Sequence, residues 1–495
     1  MRKNSGILLP ISSLPSPYGI GTLGKEAKQF IDFLSDTKQT YWQILPIGPT
    51  GYGDSPYSSF SSFAGNPYFI DFNDLVKRGY LKKSEFSTIK WSHKTSEVDY
   101  ERLYRNRFLV LRHTVKRVMR KSKESFESFV EDEKDWLVDY ALFMVIKNLY
   151  EGKPIEEWPE KFRKRDKKEL KRIQEEYKDE IIFYEIIQYL FFTQWKELKE
   201  YANQKGIQII GDLPIYVARD SVEVWSSPHV FQLDEDLRVK KIAGCPPDAY
   251  APDGQLWGNP LYDWKYLKRT KYQWWMKRIH QQLRFYDVLR LDHFRGFESY
   301  FVIDAYEETA RNGVWKKGPS SHFIQAIRKE FKNISIIAED LGFLTPEVKQ
   351  MLKDSTFPGM KVVEFAFDEL SLDNDYLPHH YPSNCVAYLG THDNDTVMGW
   401  MKNLSKETYQ FAKKYYQVKT KKELYHAMVN SLFESKAKTV IIQLQDYLLL
   451  DSKARINTPS TLGGNWLWRM KPNQITSKEK KDIKELTERY HRERK

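Results

Sequence analysis

What most constrains this chain is a succession of short apolar runs. Each closes on Gly, Pro or a polar residue, and most are followed by a longer amphipathic stretch. Eight stand out: Gly6 to Leu9, Gln43 to Ile47, Ile207 to Leu213, Asp287 to Asp292, Ile334 to Ala338, Lys361 to Phe367, Cys385 to Gly390 and Lys438 to Leu444. Several are apolar almost throughout, as strands covered on both faces are. Strands alternating with helices build βα units around a parallel sheet, and eight such units predict an α/β fold, the (β/α)8 TIM barrel. The spacing is uneven. About 160 residues separate the second and third runs and about 75 the third and fourth, where a bare unit needs roughly 30. The chain, 1–495, is therefore expected to be one barrel domain with two insertions. A helical subdomain over about 75–200 is rich in Lys, Glu, Leu, Phe and Tyr, and a structured, Pro-, Gly- and Trp-rich insertion spans about 214–285.

Composition narrows the function classes. Lys and Arg number 78 against 67 Asp and Glu, giving +11, a mixed-sign balance that excludes a disordered polyelectrolyte. No uncharged apolar run approaches the roughly 18 residues of a membrane span, so no membrane partner is expected. The N-terminus has a basic start, but Pro10, Ser12, Ser13 and Pro15 break its apolar stretch, and it reads as a first strand, not a signal peptide. Two cysteines, Cys245 and Cys385, support neither a disulfide scaffold nor a zinc site, which points to a reducing cytoplasm. The basic stretch Lys161 to Arg165 invites a nucleic-acid reading. The acids that follow, Asp166, Glu169, Glu175, Glu176, Asp179 and Glu180, favour a solvated helix face. The tail from Ser477 to Lys495 reads as a terminal helix with a frayed end.

In a TIM barrel the reactive groups project from the C-terminal ends of the strands, and four run ends carry acids. Period-two alternation puts Arg290 and Asp292 on one face, with Leu289 and Leu291 turned to the helices. An acid beside an arginine is expected to stay ionised and to suit a nucleophile; the plainer alternative is a barrel-lining salt bridge. Glu339 directly follows an apolar run, where partial desolvation would let it hold a proton to donate. Helix N-capping is the rival use there and fits Asp340 better. The run Gly390-Thr391-His392-Asp393-Asn394-Asp395 is a dense polar cluster at a buried edge. It could bind a metal, although no second His or Cys sits at ligand spacing. Asp212 ends the third run. Acids converging on one cavity with an Arg and a His fit glycoside chemistry, in which one acid protonates the leaving oxygen and another attacks the anomeric carbon. Neither a G-x-x-x-x-G-K-(S/T) phosphate-binding loop nor a G-x-G-x-x-G following a strand is found, and the serine-hydrolase elbow is absent. No cofactor and no metal are therefore expected.

The blocks Leu289 to Gly296, Ala338 to Gly342 and Gly390 to Asp395 resemble the catalytic blocks of glycoside hydrolase family 77, the 4-α-glucanotransferases. The likeness runs from Gly6 to about Arg469 and takes in Gly53 to Tyr57, Gly211 to Val217, Gln255 to Pro260 and Asn465 to Arg469. The resemblance implies Asp292 as nucleophile, Glu339 as general acid/base and Asp393 as transition-state stabiliser. It implies that Arg290 keeps Asp292 ionised, that His392 binds sugar hydroxyls, and that Tyr57 and Asp212 touch substrate. It implies further that the loop with Tyr250, Trp257 and Asn259 covers the bound glucan and that Asn465 lies near the donor sugar. The sequence departs from the family pattern at Ser460, where Gly is expected, and lacks the His that the wider starch-hydrolase clan often carries after the third strand. The implied reaction is transfer of an α-1,4-glucan segment to the 4-hydroxyl of an acceptor, by double displacement, on maltooligosaccharides and on glucans derived from starch or glycogen. Two rivals remain: a hydrolase using the same residues, and a noncatalytic glucan- or nucleic-acid-binding protein. Nothing in the sequence fixes the oligomeric state.

Overall fold

A computed structural model describes residues 3–247 and 251–494. Its strands are β1 (Asn4–Leu8), β2 (Tyr41–Gln43), β3 (Gln208–Leu213), β4 (Lys241–Cys245), β5 (Gln255–Pro260), β6 (Val288–Leu291), β7 (Ser299–Asp304), β8 (Val314–Lys317), β9 (Ile336–Ala338), β10 (Gly359–Val362), β11 (Cys385–Tyr388) and β12 (Thr439–Gln443). Eight of them form one parallel sheet in the order β10-β11-β12-β1-β2-β3-β6-β9. Ala338 N–H donates to the Pro358 carbonyl at 2.9 Å and brings the two ends together, so the sheet is a nearly closed TIM barrel. Its interior is packed by Leu8, Ile210, Val288, Ile337, Met360, Val386 and Ile441. Leu289 and Leu291 of β6 point the other way, into the core shared with the helices. That alternation leaves Arg290 facing the barrel axis.

Three expectations need correction. Residues 363–367 do not extend β10 but form a 3-10 turn, Val363–Phe367. Val363, Ala366 and Phe367 are spaced for one helical face and bury together in the cluster behind β11; a short apolar run does not by itself distinguish the two periods. The insertion placed between the third and fourth barrel strands also extends beyond the fourth. Strands β7 and β8 pair with β4 and β5 in a separate antiparallel sheet, β5-β4-β7-β8. The C-terminus is docked rather than frayed. After the helix Ser477–Arg489, the fully buried Arg492 donates to the carbonyls of Phe433 at 2.7 Å, Ala437 at 2.9 Å and Ser435 at 3.0 Å. Buried guanidinium donors need acceptors, and here they are carbonyls at the C-terminal end of the helix Lys421–Glu434 and in the turn that follows it.

The helices between β2 and β3 also bear on the site. Gln188 and Gln194 lie on the helix Lys178–Gln204 and are buried. Gln188 bonds both backbone atoms of Gly65, at 2.8 and 2.9 Å, and Gln194 accepts from Asp71 N–H at 2.7 Å. They brace the long connection from β2 that carries Tyr57. The charged block 161–180 lies on outer helices whose cations pair locally, Lys161 with Glu169 at 2.8 Å and Arg172 with Glu176 at 2.5 Å.

Candidate active site

At the C-terminal end of the barrel, Arg290 organises the acids. Its Nη1 donates to Asp212 Oδ2 at 2.6 Å and to Asp292 Oδ1 at 3.0 Å, and its Nε faces the Met360 sulfur at 3.4 Å. Asp212, expected to touch substrate, is wholly enclosed. Its Oδ2 instead accepts from Arg290 and from the Tyr57 hydroxyl, at 2.7 Å. Tyr57 spends its one proton on that bond, and its oxygen lies 2.8 Å from His392 Nε2. The facing ring nitrogen must then carry a hydrogen. The Tyr57 and His392 rings stack, 5.3 Å apart and 11° from parallel, with Trp466 at 5.8 Å from Tyr57.

Asp292, expected to stay ionised beside Arg290, is subject to two opposed influences. Burial pushes its carboxyl up, to about 8, against the pull of Arg290. One guanidinium divided between two acids does not offset that desolvation. The side chain is still 28% exposed toward the cleft, and a bound sugar would cover that opening. Glu339 is likewise raised by burial, opposed by Arg290 and by two backbone donors. Those donors are His293 N–H on Oε2 at 2.8 Å and Leu341 N–H on Oε1 at 2.7 Å. The first requires His293 to adopt a left-handed backbone, φ 48°, which Asn, Asp and His tolerate better than most residues. Two neighbouring acids, both raised, share protons, and the pair titrates as a unit.

Asp393 sits across the cup after β11. Its Oδ1 accepts from Asn457 Nδ2 at 2.6 Å, and its Oδ2 lies 3.4 Å from His392 Nε2. Arg455 donates to the Asp393 carbonyl at 2.7 Å and to the Asn457 carbonyl at 2.7 Å. His392, expected to bind sugar hydroxyls, is only 3% exposed with Nε2 turned to Tyr57. Asn465, expected near the donor sugar, commits its amide to its own loop, accepting from Thr458 N–H at 2.9 Å and donating to the Thr461 carbonyl at 3.1 Å. Ser460, in that loop, has φ 62°, the left-handed conformation for which Gly is the ordinary choice. Trp257 meets His293 edge-on at 4.8 Å, and Asn259 ties β5 to the Val217 carbonyl at 2.7 Å. Tyr250 lies outside the described residues. Asp340 caps no helix; its Oδ1 accepts from Met360 N–H at 2.6 Å and pins β10 beside β9.

Sequence reading missed Asn457, Arg455 and the two bracing glutamines, because nothing local marks a residue whose partner lies far along the chain. Among the described residues, no group of three or more His, Cys, Asp or Glu is arranged to hold a metal ion, and no helix is long and apolar enough to cross a membrane.

A family model described as 4-alpha-glucanotransferase matches residues 9–476. A 4-alpha-glucanotransferase of Clostridium butyricum is 47% identical over 485 residues, covering 97% of this chain and 99% of the relative. One from Streptococcus pneumoniae is 45% identical, covering 99% and 98%. Among solved structures, an amylomaltase from Streptococcus agalactiae in complex with acarbose superposes with a TM-score of 0.97 at 40% identity, covering both chains fully. An amylomaltase from Corynebacterium glutamicum, 19% identical, shares the fold with a TM-score of 0.77 over 99% of this chain and 74% of that one.

Proposed function

The chain belongs to glycoside hydrolase family 77 and is an enzyme of the 4-alpha-glucanotransferase type, and on that premise we propose how its residues divide the reaction. Glu339 gives its proton to the glycosidic oxygen as the Asp292 carboxylate attacks the anomeric carbon. The C–O bond breaks toward the protonated oxygen, and the reducing-end fragment leaves with a free 4-hydroxyl. Asp292 is left in an ester bond to the sugar. Glu339, now ionised, takes the proton from the 4-hydroxyl of an acceptor, whose oxygen displaces Asp292 and restores the original anomer. Asp393 faces the ring while positive charge develops on it. The observation that carries this reading is the unequal placement of Arg290, in direct contact with Asp292 but not with Glu339. It supports placing the anion on the first and the shared proton on the second.

The substrates are α-1,4-glucans, from maltooligosaccharides to starch- or glycogen-derived chains, a reading supported by the 4-alpha-glucanotransferase relatives and by the amylomaltase solved with acarbose. The two free cysteines fit a reducing cytoplasm as the place of the reaction. Incubation with maltotriose alone, followed by chromatography, tests the reading. Glucose appearing with a ladder of longer oligosaccharides is the expected outcome. Glucose and maltose without longer products would instead support hydrolysis.

A further inference from the structure

Beyond the acids, the turn that begins with Glu339 presents an aromatic ring to solvent. Leu341 packs partly onto the barrel interior, while Phe343 is 80% exposed. Gly342 between them has φ +81° and open space where a side chain would stand, so the chain reverses there with little strain. Arg295, three residues past Asp292, fixes the turn by donating Nη1 to the Phe343 carbonyl at 2.8 Å. Its guanidinium also lies 4.0 Å from the centre of the Trp315 ring. Trp315, on β8, packs edge-on against Phe301 at 5.1 Å and is still 41% exposed. One arginine, on the loop that follows Asp292, thus contacts both the backbone of Phe343 and the ring of Trp315.

We propose that Phe343, Arg295 and Trp315 form a binding platform for the acceptor glucan, engaging sugars beyond the one whose 4-hydroxyl meets Glu339. The proposal rests on the roles given above to Asp292 and Glu339. An aromatic face suits the apolar C–H face of a glucose ring, and a guanidinium beside it offers donors to the ring-edge hydroxyls. The acceptor side follows from connectivity. Glu339 must take the proton of the incoming hydroxyl, so an acceptor chain starts at that residue and runs outward from it. Phe343 lies on the same turn. Asp393 lies after β11, on a separate loop two strands round the barrel from β9. Exposed aromatics joined to a reaction centre mark a binding surface more readily than scattered surface apolars do.

The test uses the full chain with unlabelled starch as donor and either radiolabelled glucose or radiolabelled maltopentaose as acceptor. The quantity read is the ratio of kcat/KM for the long acceptor to that for glucose. Phe343→Ala and Trp315→Ala should each lower that ratio roughly two- to tenfold, the effect of losing one aromatic contact. Phe343→Tyr should restore it. Both acceptors are read on the same preparation, so partial misfolding leaves the ratio untouched. A ratio equal to that of the unsubstituted chain in both alanine variants would overturn the platform. An unsubstituted chain that elongates neither acceptor would instead overturn the reading of the acids.

Discussion

On the β6 and β9 side of the cup, Glu339 is held by the backbone amides of His293 and Leu341. On the β11 side, Asp393 leans on side chains, Asn457 on its carboxylate and Arg455 on its carbonyl. Backbone donors survive any side-chain substitution that leaves the fold intact, whereas a side-chain clamp is lost with one residue. The first wall is therefore defined by fold and the second by individual residues. The walls also differ in exposure. Burial pushes both Asp292 and Glu339 up; the Asp393 side chain is 44% exposed.

The largest expected effects fall on the first wall. Asp292→Asn should cost on the order of 10⁴- to 10⁶-fold in transfer rate, and Glu339→Gln roughly 10²- to 10⁴-fold. Near-normal maltotriose disproportionation by either variant would break the assignment. Asn457→Ala tests the second wall. It should lower kcat roughly ten- to hundredfold with a smaller change in KM, because a displaced Asp393 loses alignment rather than binding. Equal falls in kcat and thermal stability would reduce Asn457 to a folding residue.

The pH profile gives a smaller, signed effect. Activity needs one proton on the Asp292–Glu339 pair, so the rate should fall on the alkaline side as the pair, raised by burial, loses its last proton. The negative charge of Asp212 raises both acids. Asp212→Asn should therefore move both limbs of the profile toward acid, and a shift toward alkali would contradict the shared-proton account. The smallest expected change follows Asn457→Ala, which should leave the position of those limbs where it was, because Asn457 acts on the other wall.

Much of the fold was written locally. Apolar runs ending in acids give barrel strands, because a strand covered on both faces excludes polar residues until it reaches the rim. Period-two alternation is enough to put Arg290 and Asp292 on one face. The family likeness then supplied the three acids, each at the end of a recognisable run. The sequence could not tell a strand from a 3-10 turn at Val363–Phe367, nor show that β7 and β8 rejoin β4 and β5. Pairing partners are chosen by packing, not by the run itself. The site divides in the same way. Residue types and the order of the acids were set by the sequence. Enclosure of Asp212, division of Arg290 between two carboxylates, the upward push on Asp292 and the Asn457 clamp were decided only by the tertiary structure. Desolvation and hydrogen-bond partnership depend on what surrounds a group in space, and those surroundings come from segments far apart in the chain.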